Sequence, residues 1–124
     1  MSWCAGDTYI PYSNQIQDEE HLHFIVSKIL SPSNKVLTVN LTSWHEKGDN
    51  TCILNVGDHP FVTHKSFILY NKATILTTEQ LDDAEHRNLI YRHNPASKKL
   101  LERIQAGVVA SVRTPYWIKD SLKD

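Results

Sequence analysis

Apolar and polar positions alternate along the first part of the chain, and their period changes near Leu76. The alternation is clearest over Lys35 to Trp44, where Leu37, Val39 and Leu41 interleave with Thr38, Asn40 and Thr42. Successive side chains of a strand project to opposite faces, so this segment predicts one face on the core and Asn40 and Thr42 on the other. His21 to Leu30 carries Leu22, Phe24 and Val26 on one side and Ile25 and Ile29 on the other, the pattern of a central strand buried on both faces. Thr8 to Tyr12 predicts a short first strand, which Pro11 confines to an edge or an early position. Further extended segments are expected over Thr51 to Val56, briefly over His59 to Val62, and over Ser66 to Leu76. Polar Ser13 to Glu20, the turn-forming Ser31-Pro32-Ser33-Asn34 and the hairpin segment Glu46 to Asn50 connect them.

Beyond Leu76 the signals are helical. Thr77 with Gln80 three residues on forms a capping box for a helix through about Glu85. Asn94-Pro95 supplies an N-cap and first-turn proline for a second helix, striped by Leu100, Leu101, Ile104 and Val108 and ended early by Gly107. Thr114-Pro115 starts a last short helix with Trp117, Ile118 and Leu122. The expected fold is α+β, a small, strongly bent antiparallel sheet or SH3-like β-barrel of five to six strands with C-terminal helices.

Composition narrows this picture. A chain of 124 residues, 40% hydrophobic, is the size of one domain and can bury one core without metal or disulfide staples, so a single domain over residues 1–124 is expected. No apolar run is long enough to span a membrane, and Met1-Ser2-Trp3-Cys4 lacks the basic and apolar regions of a signal peptide, which points to the cytoplasm. Cys4 and Cys52, far apart and without a recognised spacing, read as reduced thiols. A net charge of -1 excludes bulk attraction to nucleic acid, so any anion site must be local. Arg87, Arg92, Lys98, Lys99, Arg103 and Arg113 cluster late in the chain, but interspersed acids make them a solvated face before a phosphate track. Gly6, Gly48, Gly57 and Gly107 form no phosphate-cradling cluster.

One ordered set of short motifs adds to this. Gly6-Asp7 precedes the first strand, a second strand ends Ile25-Val26-Ser27 and a third ends Leu41-Thr42-Ser43. Pro60-Phe61, the strand Ile68 to Ile75 and a helix start at Thr77-Thr78 follow. In this order, over roughly residues 6–85, the chain resembles the PemK/MazF family of small barrel toxins. The resemblance implies a metal-independent endoribonuclease acting on single-stranded RNA as a homodimer, neutralised by an antitoxin protein. A related branch binds DNA gyrase instead, so one fold permits different functions, and a missing family arginine makes a non-catalytic module that binds a protein or nucleic-acid partner the alternative. Thr42 and Ser43 stand where the ribonuclease members place a catalytic hydroxyl. The arginine those members carry on the later strand is replaced by Ala73, and Lys72 is the nearest cation.

Cutting RNA without metal requires a base for the 2′-hydroxyl, an acid for the leaving oxygen and donors for the phosphoryl charge. Thr42, Ser43, His59 and Lys72 are the catalytic candidates, with Asn40, Trp44, His45 and His64 as RNA contacts; Trp44 offers a ring on which a base stacks. The plainer alternatives are a His59 tied into a tight turn, a solvated His45, a core Trp44 and a wetted face at Asn40 and Thr42. His21-Leu22-His23 places two imidazoles on one strand face, but with no zinc spacing, so neither metal nor cofactor is expected.

Overall fold

The computed structural model describes residues 3–12, 21–29 and 34–121, without the side chains of residues 28 and 29. The expected loop over Ser13 to Glu20, the turn over Ser31 to Ser33, and Leu30 and Leu122 lie outside them. Seven strands are described: β1 (Thr8–Pro11), β2 (His23–Ile29), β3 (Lys35–Ser43), β4 (Ile53–Leu54), β5 (Ser66–Ile68), β6 (Thr74–Thr77) and β7 (Ile90–His93). Helix α1 (Thr78–His86) lies between β6 and β7, and α2 (Lys98–Ala110) and α3 (Tyr116–Ser121) close the described chain. The class is α+β, and the antiparallel sheet runs β4-β5-β3-β2-β1-β7 as an open path, with β6 also beside β3.

β3 organises the sheet because its alternation serves two cores at once. Leu37, Val39 and Leu41 join Phe24 and Val26 of β2 under Leu100, Ile104 and Val108 of α2. Val36, on the opposite face, packs with Ile25, Tyr9, Trp3, Ile90 and Leu81 of α1. β2 is therefore interior and buried on both faces, as its apolar pattern requires. Each of these large side chains contributes about 1.5–3 kcal/mol by leaving water, so the two-sided burial of β2 and β3 is the main stabilising feature of the domain.

The segment expected as one strand over Ser66 to Leu76 lies along β3 but is broken. Leu41 pairs with Ile68 and Thr38 with Thr74, so three steps along β3 are matched by six on the facing chain. The excess is a 3-10 turn at Tyr70–Lys72. It lets Tyr70 leave the sheet for α2, where its hydroxyl donates to the Ile104 carbonyl at 2.9 Å. Gly107 does not end α2; it makes room for that ring, since a Cβ there would collide with the Tyr70 hydroxyl and ring.

The capping box forms as its residues predict, with the Gln80 amide donating to Thr77 Oγ1 at 3.0 Å and the Thr77 amide to Gln80 Oε1 at 2.8 Å. The cap of α2 differs from expectation. Ser97, not Asn94, accepts the Leu100 amide. Asn94 is engaged elsewhere, its carbonyl accepting from Thr8 Oγ1 at 2.7 Å and from His59 Nε2 at 2.6 Å. β7 is a strand beyond those the apolar pattern predicts; it follows a left-handed Asn88 (φ 58°) that turns the chain out of α1 and back alongside β1.

Buried Asp49 ties the hairpin loop to the end of α2. Its carboxylate accepts from Ser111 Oγ at 2.5 Å, from Thr51 Oγ1 at 2.5 Å and from the Thr51 amide at 2.9 Å. Burial pushes its pKa up, but these bonds and the nearby Arg113 outweigh it and hold the carboxyl below its ordinary value.

The late cations are largely committed to such contacts. Arg92 pairs with Glu85 and Asp7 and lies over the Trp3 ring, and Arg103 pairs with Asp58 and donates to the Ile53 carbonyl. Arg87 pairs with Asp83, and Arg113 donates to the Lys47 carbonyl. Lys98 and Lys99 are exposed. Among the described residues no helix is long and apolar enough to cross a membrane.

Candidate active site

At the end of β3 nearest β5, a cavity of about 420 Å³ opens between the sheet and the turn that precedes β5. Ser43 and Thr42 come from β3, paired antiparallel with Ser66 and Phe67 of β5. Ser66 also donates its hydroxyl to the His64 carbonyl at 2.9 Å, which holds the backbone beneath the His64 ring. The result is a side-chain relay: Ser43 Oγ lies 2.7 Å from His64 Nε2, and Thr63 Oγ1 lies 3.2 Å from His64 Nδ1. With the proton on Nδ1, donated to Thr63, the other ring nitrogen accepts from the Ser43 hydroxyl and is the basic atom at the cavity mouth. His21, Leu41 and Phe61 complete the wall.

His59 is withdrawn from this site. It is 3% exposed, its Nε2 donates to the Asn94 carbonyl, and its Nδ1 accepts the Phe61 amide at 3.0 Å. Burial first, and His93 with it, hold it neutral against the bond to Asn94, with its pKa below the ordinary value. Both nitrogens are used, so no lone pair is left for a substrate proton. His59 instead anchors the turn that presents His64 five residues on; the Val62 amide closes that turn on the His59 carbonyl at 3.0 Å.

The other sequence candidates divide. Lys72 and Asn40 border a separate recess of about 110 Å³, with Thr38, Thr74, Tyr9 and His23. Trp44 packs edge-on against Phe67, with Lys65 Nζ 4.7 Å over its ring, so one face of its indole already carries the ammonium. His45 is exposed and also meets Phe67 edge-on. The structure thus brings together Thr42, Ser43 and His64, leaves Trp44 and His45 beside them around Phe67, and puts Lys72 and Asn40 elsewhere. Ala73, where the resemblance expects an arginine, is 6% exposed and packed in the main core. A guanidinium would have to be buried there, so this fold has no place for that group at that position.

His21 and His23 do not act as a pair. The His21 ring borders the cavity, whereas His23 stacks on Tyr9 at 5.0 Å, and burial, with His21 nearby, lowers its pKa to about 4. Among the described residues no group of three or more His, Cys, Asp or Glu side chains converges as a metal site. The lowered pKa of His23 has a sign that can be checked. The folded protein keeps this ring neutral while the unfolded chain protonates near pH 6.5, so stability is full above that value and falls as the pH drops toward 4. The loss amounts to about 3 kcal/mol at most. Melting temperature measured from pH 7 to 4 should fall, and the fall should be shallower in His23→Gln.

Thr63 and His21 were not among the expected catalytic residues. The signal available for Thr63 was its place next to His64, just ahead of the strand expected over Ser66 to Leu76. No sequence signal placed His21 at that cavity. Comparison with protein-family models, curated proteins and solved structures finds no match for this chain.

Proposed function

We propose that this protein is a metal-independent endoribonuclease of the PemK/MazF type, acting on single-stranded RNA with His64 as its base. The observation that carries the proposal is the Ser43–His64–Thr63 relay at the mouth of an open cavity. The 2′-hydroxyl of a bound nucleotide takes the place of the Ser43 hydroxyl against His64 Nε2 and gives up its proton there as it attacks phosphorus. The freed Ser43 hydroxyl donates to the phosphoryl oxygens, where charge accumulates. Phe61 supplies an apolar wall for a base. The products are a 2′,3′-cyclic phosphate and a 5′-hydroxyl end. Incubating the purified protein with a long mixed RNA in EDTA should give fragments with those ends. Intact RNA, or cleavage unchanged in both Ser43→Ala and His64→Ala, would overturn the assignment.

A toxin role in the cytoplasm, a homodimer and an antitoxin partner accompany this reading, and growth arrest on bacterial expression would favour them. A second reading, a non-catalytic binding module, draws on one surface. Val109, Val112, Tyr116 and Trp117 are 69%, 95%, 74% and 57% exposed at the end of α2 and the start of α3. Leu100, Ile104 and Val108 of α2 are buried and contribute nothing to that surface. Harmless high-level expression together with inert RNA would favour the module.

A further inference from the structure

His64 supplies one proton acceptor, but cleavage leaves an alkoxide on the departing 5′-oxygen that needs a proton. The second imidazole on the cavity wall is suited to that task. His21 Nδ1 lies 3.1 Å from the Leu41 carbonyl. A carbonyl oxygen only accepts, so Nδ1 carries the hydrogen and Nε2 is the nitrogen that gains and loses a proton. Leu41 and Ser43 are two residues apart on the same face of β3. The backbone that holds His21 is therefore about 7 Å along the strand from the one that meets His64. Both histidines thus line one cavity of about 420 Å³ and are tied to neighbouring points of the same strand.

We infer that His21 is the general acid of this site, protonating the leaving 5′-oxygen while His64 deprotonates the 2′-hydroxyl; the inference rests on the ribonuclease reading above. The step balances. The bond from O2′ to phosphorus forms, the bond from phosphorus to O5′ breaks, one proton passes to His64 Nε2 and one leaves His21 Nε2. Exchange with water then restores both rings. The hydrogen bond to Leu41 sets the ring's orientation, so the strand that positions the base side also positions the acid.

The test compares two RNA substrates that differ at one atom. In the first the leaving group is the ordinary 5′-oxygen; in the second a bridging 5′-sulfur replaces it, and a thiolate departs without needing a proton. His21→Asn keeps an N–H near the Nδ1 position, able to donate to Leu41, and removes Nε2. It should slow the ordinary substrate by about 10²–10³-fold and leave the sulfur substrate within roughly threefold of the unaltered protein. His64→Ala should be slow on both. The readout is the ratio of the two rates, which a partly misfolded variant does not change, and His21→Gln provides a second estimate of it. Equal impairment on both substrates, or an unimpaired His21→Asn, would overturn the assignment of His21 while leaving His64 and the ribonuclease reading in place. If the unaltered protein cuts neither substrate, both proposals fall together.

Discussion

His64→Ala is expected to lower RNA cleavage by about 10²–10⁴-fold, the usual contribution of a positioned general base. It should barely change stability. The ring is exposed, and its polar partners, the hydroxyls of Ser43 and Thr63, are free to turn to water when it goes. Loss of rate with an unchanged melting temperature is thus the signature of this residue. His59 should show the opposite. His59→Ala removes the acceptor for the Phe61 amide and a donor to the Asn94 carbonyl inside a packed region, which costs about 2–4 kcal/mol. Any activity lost in that variant should follow the folded fraction and the placement of the turn at His64. Rate assays run beside thermal melts on the two variants separate these roles. A fully active, less stable His64→Ala paired with an inactive, fully stable His59→Ala would reverse the assignment.

Gly107→Ala should be among the most destabilising single substitutions available, although alanine is ordinarily the better helix former. The new Cβ would overlap the hydroxyl and ring of Tyr70, with Cε2 at 2.9 Å and two other Tyr70 atoms nearer still. Tyr70 has nowhere to retreat. It is fully buried, its hydroxyl is bonded to the Ile104 carbonyl, and the 3-10 turn that carries it is set between β5 and β6 against β3. Overpacking of this kind, with the hydrogen bond broken, costs about 3 kcal/mol and lowers the melting temperature of a domain this size by about 10 °C. The gain of about 1 kcal/mol in helix propensity does not offset it. Tyr70→Leu in the same chain should make Gly107→Ala nearly harmless, and a double-mutant cycle on the melting temperature would measure the coupling. A Gly107→Ala protein that melts at or above the parent temperature would show that the ring moves aside at little cost.

The parts of the fold that were legible are those governed by local pattern. The alternation of β3, the two-faced burial of β2 and the Thr77–Gln80 box each state their own geometry within a few residues. The break at Tyr70–Lys72 did not, because Tyr-Asn-Lys reads as acceptable strand; what interrupts it is a glycine more than thirty residues later that admits the tyrosine ring. β7 was missed for a related reason. Ile90–His93 is a four-residue strand that is defined by its pairing with β1 rather than by strong alternation. The α2 cap moved from Asn94 to Ser97 because the Asn94 carbonyl is taken by Thr8 and His59, residues distant in sequence.

The candidate site divides along the same line. By itself the sequence determined the α+β class, the two faces of β3, and the placement of Thr42 and Ser43 at the strand end where a hydroxyl site would lie. The choice among the histidines belonged to the tertiary structure. His59 and His64 lie in one short segment, and only the packed chain shows that the first has both nitrogens spent on buried backbone partners while the second is exposed and bonded to the hydroxyls of Ser43 and Thr63. Long-range contacts decide which imidazole is buried and which stays accessible, and those contacts are written in no local stretch of sequence. His21 illustrates this most clearly, since its pairing with His23 looked local and the structure sends the two rings to different recesses.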